Sequence, residues 1–218
     1  MDWDRRGLLC SRCWHGLERC PVAGCARCGQ PLVGAGAERP LCGRCRSGAD
    51  AFLLARAPLV YREGGVVRAA VLLAKHGGQV GLLRFLGEVL ATEAPAYLSL
   101  AEWDALIPVP LHWRRRWRRG LNQAEILARA VGRRHGLPVV RRCLVRARAT
   151  PPQQGDPEAR RRNVREAFRV RHPSRIAGQR LLLVDDVFTT GATVNACAAA
   201  LHEAGAAAVG VLTLARVA

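Results

Sequence analysis

Lysine is almost missing from this chain of 218 residues: Lys75 is the only one, and arginine carries nearly all of the positive charge. A bias of this kind accompanies GC-rich genomes, but the charge it leaves is physical whatever its origin. No apolar run is long enough to span a bilayer, which excludes a membrane-spanning segment. The start, "MDWDRRGLLCSRC", is acidic and has no apolar h-region, so it does not read as a signal peptide, and a cytoplasmic chain is expected. No Gly-Lys-Ser/Thr follows the glycine of "DDVFTTGAT", so a Walker A loop is excluded there. Internal repeats are absent apart from a recurring C-x-x-C spacing.

What is present is a net charge of +17 on a chain that is 50% hydrophobic. That is enough apolar residue for one good core and a small satellite module. The charge favours polyanions: nucleic acid, phosphorylated metabolites or an anionic membrane surface. Seven of the nine cysteines fall in the first 45 residues, mostly as C-x-x-C pairs. In a reducing cytoplasm such a cluster reads as metal ligands rather than disulfides. Cys25, Cys28, Cys42 and Cys45 follow C-x2-C-x13-C-x2-C, the spacing of two zinc-ribbon knuckles around one tetrahedral zinc, with Gly29 and Gly43 supplying the turns. So short a segment has little core, and structural zinc would also supply its folding energy. A redox role for these pairs is the competing reading. Cys143 and Cys197 read as buried apolar residues.

The cysteine-rich module is placed at residues 1–48, with "SGAD" as the junction to a second domain over 49–218. "AFLLARAPLVYREGG" reads as extended structure closing on a turn, and "VVRAAVLLAKH" and "VGLLRFLGEVLATEA" as helices. "WDALIPVP" predicts a strand ending in a proline-locked loop. "NQAEILARAVGRRHG" predicts a helix with Asn122 as N-cap and Gly136 as stop. "LPVVRRCLVRAR" and "AFRV" read as strands, and the segment between them, residues 150–165, as a mobile loop. Strand "RLLLVDD", helix "ATVNACAAALHEAG" and strand "AAVGVLTLARV" complete an alternation that predicts a mostly parallel α/β sheet covered on both faces.

Leu181 to Val184 are continuously apolar, as in a central parallel strand, so Asp185 and Asp186 emerge where open α/β sheets bind ligands. The small and hydroxylic residues after them suit a phosphate at a helix N-terminus, while a carboxylate accepts strong hydrogen bonds from vicinal hydroxyls. A capping role for the acids, with "TTG" as a mere turn, is the alternative.

The full pattern, apolar run plus "DDVFTTGAT", resembles the phosphoribosyl pyrophosphate signature of type I phosphoribosyltransferases. The resemblance implies that Asp185 and Asp186 bind the ribose 2- and 3-hydroxyls, and that Thr189, Thr190, Gly191, Ala192 and Thr193 cradle the 5-phosphate. It places the pyrophosphate loop at "IPVPLH", over Pro108, Val109 and Pro110. With "IPVPLHWRRRWRRGLNQAEILARA", "ATPPQQGDPEARRRNVREAF" and the cysteine module in order, nearly the whole chain resembles the ComF family of competence-associated, phosphoribosyltransferase-like proteins. Members typically carry a further C-x-x-C upstream. This chain begins too late to contain it, so either its true start lies upstream or Cys10 and Cys13 recruit Cys20 or His15.

The resemblance implies a type I phosphoribosyltransferase-like sheet and magnesium bound with phosphoribosyl pyrophosphate. It also implies a role in natural competence, handling imported single-stranded DNA beside the DNA-uptake machinery, with peripheral placement at the inner membrane face left open. The alternatives are a phosphoribosyltransferase acting on an unknown nucleobase or amine, and a phosphoribosyl pyrophosphate-responsive regulator. The loop over 150–165 would close on the reacting centre, bringing Arg160, Arg161, Arg162 and Asn163 to the pyrophosphate; Arg161 and Arg162 join the two acids as catalytic candidates. Arg114, Arg115, Arg116, Arg118 and Arg119, interleaved with Trp113 and Trp117, combine phosphate forks with stacking faces suited to single-stranded nucleic acid. A solvated basic face is the plainer reading of that run. Nothing marks a base-recognition pocket or a general base.

Overall fold

In the computed structural model the apolar run Leu181–Val184 has no solvent exposure, and it lies in the middle of a parallel sheet. Residues 9–32, 40–48, 50–76, 79–111, 121–146 and 167–217 are described. The strands are β1 (Ala55–Arg56), β2 (Leu59–Tyr61), β3 (Ala105–Pro108), β4 (Leu144–Arg146), β5 (Phe168–Val170), β6 (Arg180–Phe188) and β7 (Ala208–Val217). The sheet runs β1–β7–β6–β3, with β2 also pairing to β7, every pair parallel. Pro58, which has no N–H for the ladder, separates β1 from β2.

Alternation along the strands builds one apolar cluster on each face. Leu106, Leu182, Val184, Leu212 and Leu214 meet α3 (Val66–His76), α4 (Val80–Glu93) and α5 (Gln123–His135). Ala105, Ile107, Leu181, Leu183, Val209 and Val211 meet α6 (Ala192–Glu203). The first 48 residues contribute to both. Leu9 and Leu17, flanking α1 (Ser11–His15), join the α3–α4 side, where Trp14 packs edge-on against Phe85 at 6.0 Å. Cys25, Cys28 and Cys45 join the α6 side; Cys45 lies in α2 (Gly43–Ser47).

Helix α5 starts at Asn122 and stops at Gly136, whose φ of 71° is the left-handed turn that glycine tolerates. Asn122 occupies the N-cap position without a side-chain cap bond, and its Nδ2 donates to the Val109 carbonyl. The segment expected as one strand over "LPVVRRCLVRAR" is broken. Val139 makes a lone parallel bridge to Leu106, Arg142 turns the chain at φ 59°, and β4 then leaves the sheet to pair antiparallel with β5. A left-handed residue ends an extended ladder, so the two halves serve different sheets.

Candidate functional site

Asp185 and Asp186 do not end β6; they outrun its neighbour. On one side β6 stays paired with β7 through Asp185↔Thr213 to Phe188↔Arg216, while on the other its pairing with β3 stops at Pro108↔Val184. β3 ends at Pro108. The two acids therefore lie beyond the end of β3, at the edge it leaves open. Val109 N–H reaches the Val184 carbonyl at 2.9 Å, and Asn122 Nδ2 donates to the Val109 carbonyl at 3.1 Å. These bonds hold the Pro-x-Pro segment beside the acids.

Neighbouring strand residues face opposite sides of a sheet. Asp186 meets Lys75 from α3, with Nζ 2.9 Å from its carboxylate and both side chains mostly buried. Asp185 accepts the Asp186 N–H at 2.9 Å. Burial first, then the Asp186 carboxylate, push the Asp185 carboxyl well above the usual range; that N–H and Lys75 act the other way. Two carboxylates held at a desolvated strand end with one ammonium beside them form an acceptor-rich site for hydroxyl donors.

After Phe188 the chain turns through exposed Thr189 and Thr190 to Gly191, which caps α6 at φ 78°. A Cβ on Gly191 would lie 2.8 Å from Phe188 Cζ, so glycine is required by both the turn and the contact. Ala192 N–H is 3.4 Å from Thr190 Oγ1, and Ala192 and Thr193 are exposed at the helix start. Backbone donors and the positive end of the helix dipole gather on this turn.

The four predicted cysteine ligands come together: the Sγ atoms of Cys25, Cys28, Cys42 and Cys45 lie within 4.8 Å of one another. Burial works to raise the Cys25 thiol, but the backbone N–H groups of Cys28, Cys42 and Arg27 outweigh it and hold it at about 6. Burial pushes Cys28 and Cys45 up. Four sulfur atoms this close together suit a single tetrahedral cation with thiolate ligands, the donor set of structural zinc. No other such cluster occurs among the described residues, and Cys10, Cys13, Cys20 and His15 do not assemble one. Cys143 and Cys197 are buried, as expected.

Arg114, Arg115, Arg116, Trp117, Arg118, Arg119, Arg161 and Arg162 lie outside the described residues. Lys75, Asn122 and Arg44 are the residues that the sequence did not place here. Arg44, between two of the cysteines, donates to the Thr190 carbonyl and stacks on Phe188 at 5.6 Å. The singularity of Lys75 was a usable signal; Arg44 and Asn122 carried none, because both contacts depend on distant chain.

Residues 117–218 match the phosphoribosyl transferase domain family. The chain is 33% identical over 212 residues to the DNA utilization protein YhgH of Salmonella typhi, covering 95% of this chain and 90% of the relative. The YhgH protein of Escherichia coli O157:H7 is 41% identical over 130 residues, 59% of this chain, and the match spans only 56% of that relative. The competence protein ComFC of Bacillus subtilis (strain 168) is 26% identical over 205 residues, covering 92% and 80% of the two chains. With a parallel sheet flanked by helices, a phosphoribosyl transferase domain and a four-cysteine cluster at its N-terminal end, this chain belongs to the ComF family of competence-associated, phosphoribosyltransferase-like proteins.

Proposed function

We propose that the open edge of β6 binds phosphoribosyl pyrophosphate, and that the protein handles single-stranded DNA in natural competence. The observation that carries the first half is the pair of acids standing clear of β3 immediately before a glycine-capped helix start. In this reading Asp185 and Asp186 accept the ribose hydroxyls, Thr189 to Thr193 hold the 5-phosphate, and the segment Pro108–Val109–Pro110 borders the pyrophosphate. Arg161 and Arg162 would approach the leaving group. Magnesium bound with the pyrophosphate supplies charge neutralisation there.

If a group is transferred, a nucleophile attacks C1 of the ribose as pyrophosphate departs, and the two acids orient the sugar through an oxocarbenium-like transition state. The second half draws on the net charge of +17, the tryptophan-spaced arginines Arg114 to Arg119, and the names of the relatives. Residues 1–48 are read as the zinc-bearing module and 49–218 as the phosphoribosyl-binding domain. No helix among the described residues is long and apolar enough to cross a membrane.

Calorimetric titration with phosphoribosyl pyrophosphate and magnesium tests the site: binding by the wild type is expected, with at least tenfold loss in Asp185→Asn/Asp186→Asn. Equal binding by the variant removes the reading. Pyrophosphate release over a panel of nucleobases and amines decides whether an acceptor is used. Single-stranded DNA affinity should fall with salt, more shallowly in Arg114→Ala/Arg115→Ala/Arg116→Ala. No difference in slope excludes that run as the DNA contact.

A further inference from the structure

The cysteine cluster and the threonine-rich turn are joined through one side chain. Arg44 sits between Cys42 and Cys45 in α2, exposed, and its Nη1 donates to the carbonyl of Thr190. The same nitrogen lies 3.3 Å from where a Cβ on Gly191 would be, and the guanidinium covers the Phe188 ring at 5.6 Å. A second arginine closes the clamp. Arg216 stacks on Phe188 at 5.4 Å, donates to the carbonyl of Cys28, and reaches Gln30 Oε1 at 3.0 Å. Phe188, three per cent exposed, lies two residues after Asp186 and one before Thr189. Both cysteine knuckles are thus fastened to the strand end that carries the acids and to the turn that follows them.

We infer that Arg44 is a positioning residue for the ribose-phosphate turn, and that metal loading of the cysteine cluster and binding of a ribose phosphate ester are thermodynamically coupled through it. The inference rests on the ribose-phosphate reading of that turn. Arg44 is set by α2, whose Cys45 and N-cap residue Cys42 both belong to the metal cluster, so an emptied cluster releases the helix that aims the guanidinium. With Arg44 gone, the Thr190 carbonyl and one face of Phe188 lose their partner, and the turn is no longer held in the conformation that presents its backbone donors. Its charge also lies beside the place where an anion would rest. Coupling of this kind is reciprocal: whatever metal adds to ester affinity, ester adds to metal affinity.

The test uses the full-length zinc-loaded protein, with phosphoribosyl pyrophosphate and excess magnesium as the probe. Zinc affinity is measured by competition with a chromogenic chelator, with and without the probe; probe affinity is measured by calorimetry. For the wild type, the probe should tighten zinc binding at least fivefold. In Arg44→Ala, probe affinity should fall about tenfold and the effect of the probe on zinc should vanish. Arg44→Lys, which keeps a donor and a charge, should recover part of both. Overturning results are wild-type zinc affinity indifferent to the probe, or Arg44→Ala binding it within twofold of wild type. Failure of the wild type to bind the probe at all removes the ribose-phosphate reading itself, and the coupling with it.

Discussion

Lys75 Nζ stands 2.9 Å from the Asp186 carboxylate, so the only lysine of the chain is spent on the second of the two acids. The pair ties the C-terminal turn of α3 to the open edge of β6. Lys75 also restrains the Asp185 carboxyl, which burial and Asp186 drive upward. Replacing Lys75 by methionine keeps the stem and removes the charge. We expect a loss of about 1–3 kcal/mol, the cost of leaving a mostly buried polar group without its partner. The loss should be larger at pH 8 than at pH 5, where Asp185 is more protonated and has less need of the ammonium. Thermal melts at both values check this; an equal loss at both would remove the electrostatic account.

Asp185 predicts an unusual stability profile. Its pKa is raised in the folded protein above the unfolded value of about 3.9. Between those two values the folded state binds more protons than the unfolded chain, so stability falls as pH rises through that window. Asp185→Asn keeps an oxygen for the Asp186 N–H and abolishes the charge. The ligand-free variant should be more stable than wild type by roughly 1 kcal/mol or more at pH 8, the gain growing from pH 5 upward. Melting curves of the two proteins across that range test it, and a destabilised variant at pH 8 contradicts it.

One metal per chain is expected, held by Cys25, Cys28, Cys42 and Cys45. Cys45→Ser should lower zinc content and melting temperature together, because the cluster is part of the core under α6. Cys10→Ser/Cys13→Ser should leave zinc content unchanged. Elemental analysis of the purified proteins decides; half the metal lost in the second variant would establish another site.

Gly191→Ala forces a Cβ into Phe188 and into a left-handed φ. The cost should exceed about 1 kcal/mol, read from denaturant melts. Phosphoribosyl pyrophosphate binding should weaken more than stability alone explains. A neutral substitution would mean that the turn relaxes freely.

Elements written in local pattern were legible. Leu181 to Val184 read as a strand buried on both faces, the helix stop at Gly136 was written in a glycine, and the four-cysteine spacing predicted its own convergence. Where a residue's partner lies far along the chain, pattern was silent. Asn122 fitted an N-cap by identity, yet its amide serves Val109, because the Pro-x-Pro segment returns beside it. The run over "LPVVRRCLVRAR" has uniform strand character, and only the left-handed turn at Arg142 divides it between two sheets.

By itself, the order of residues determined the apolar strand, the acids that follow it, the glycine-capped turn and the metal spacing, since each is a short-range property of propensity and periodicity. Tertiary structure alone decided that β3 stops short of the acids, that Lys75 meets one of them, and that Arg44 and Arg216 clamp Phe188 to the cysteine knuckles. Those relations exist only once the sheet has brought separate segments within hydrogen-bonding and ring-stacking distance, which no local pattern encodes.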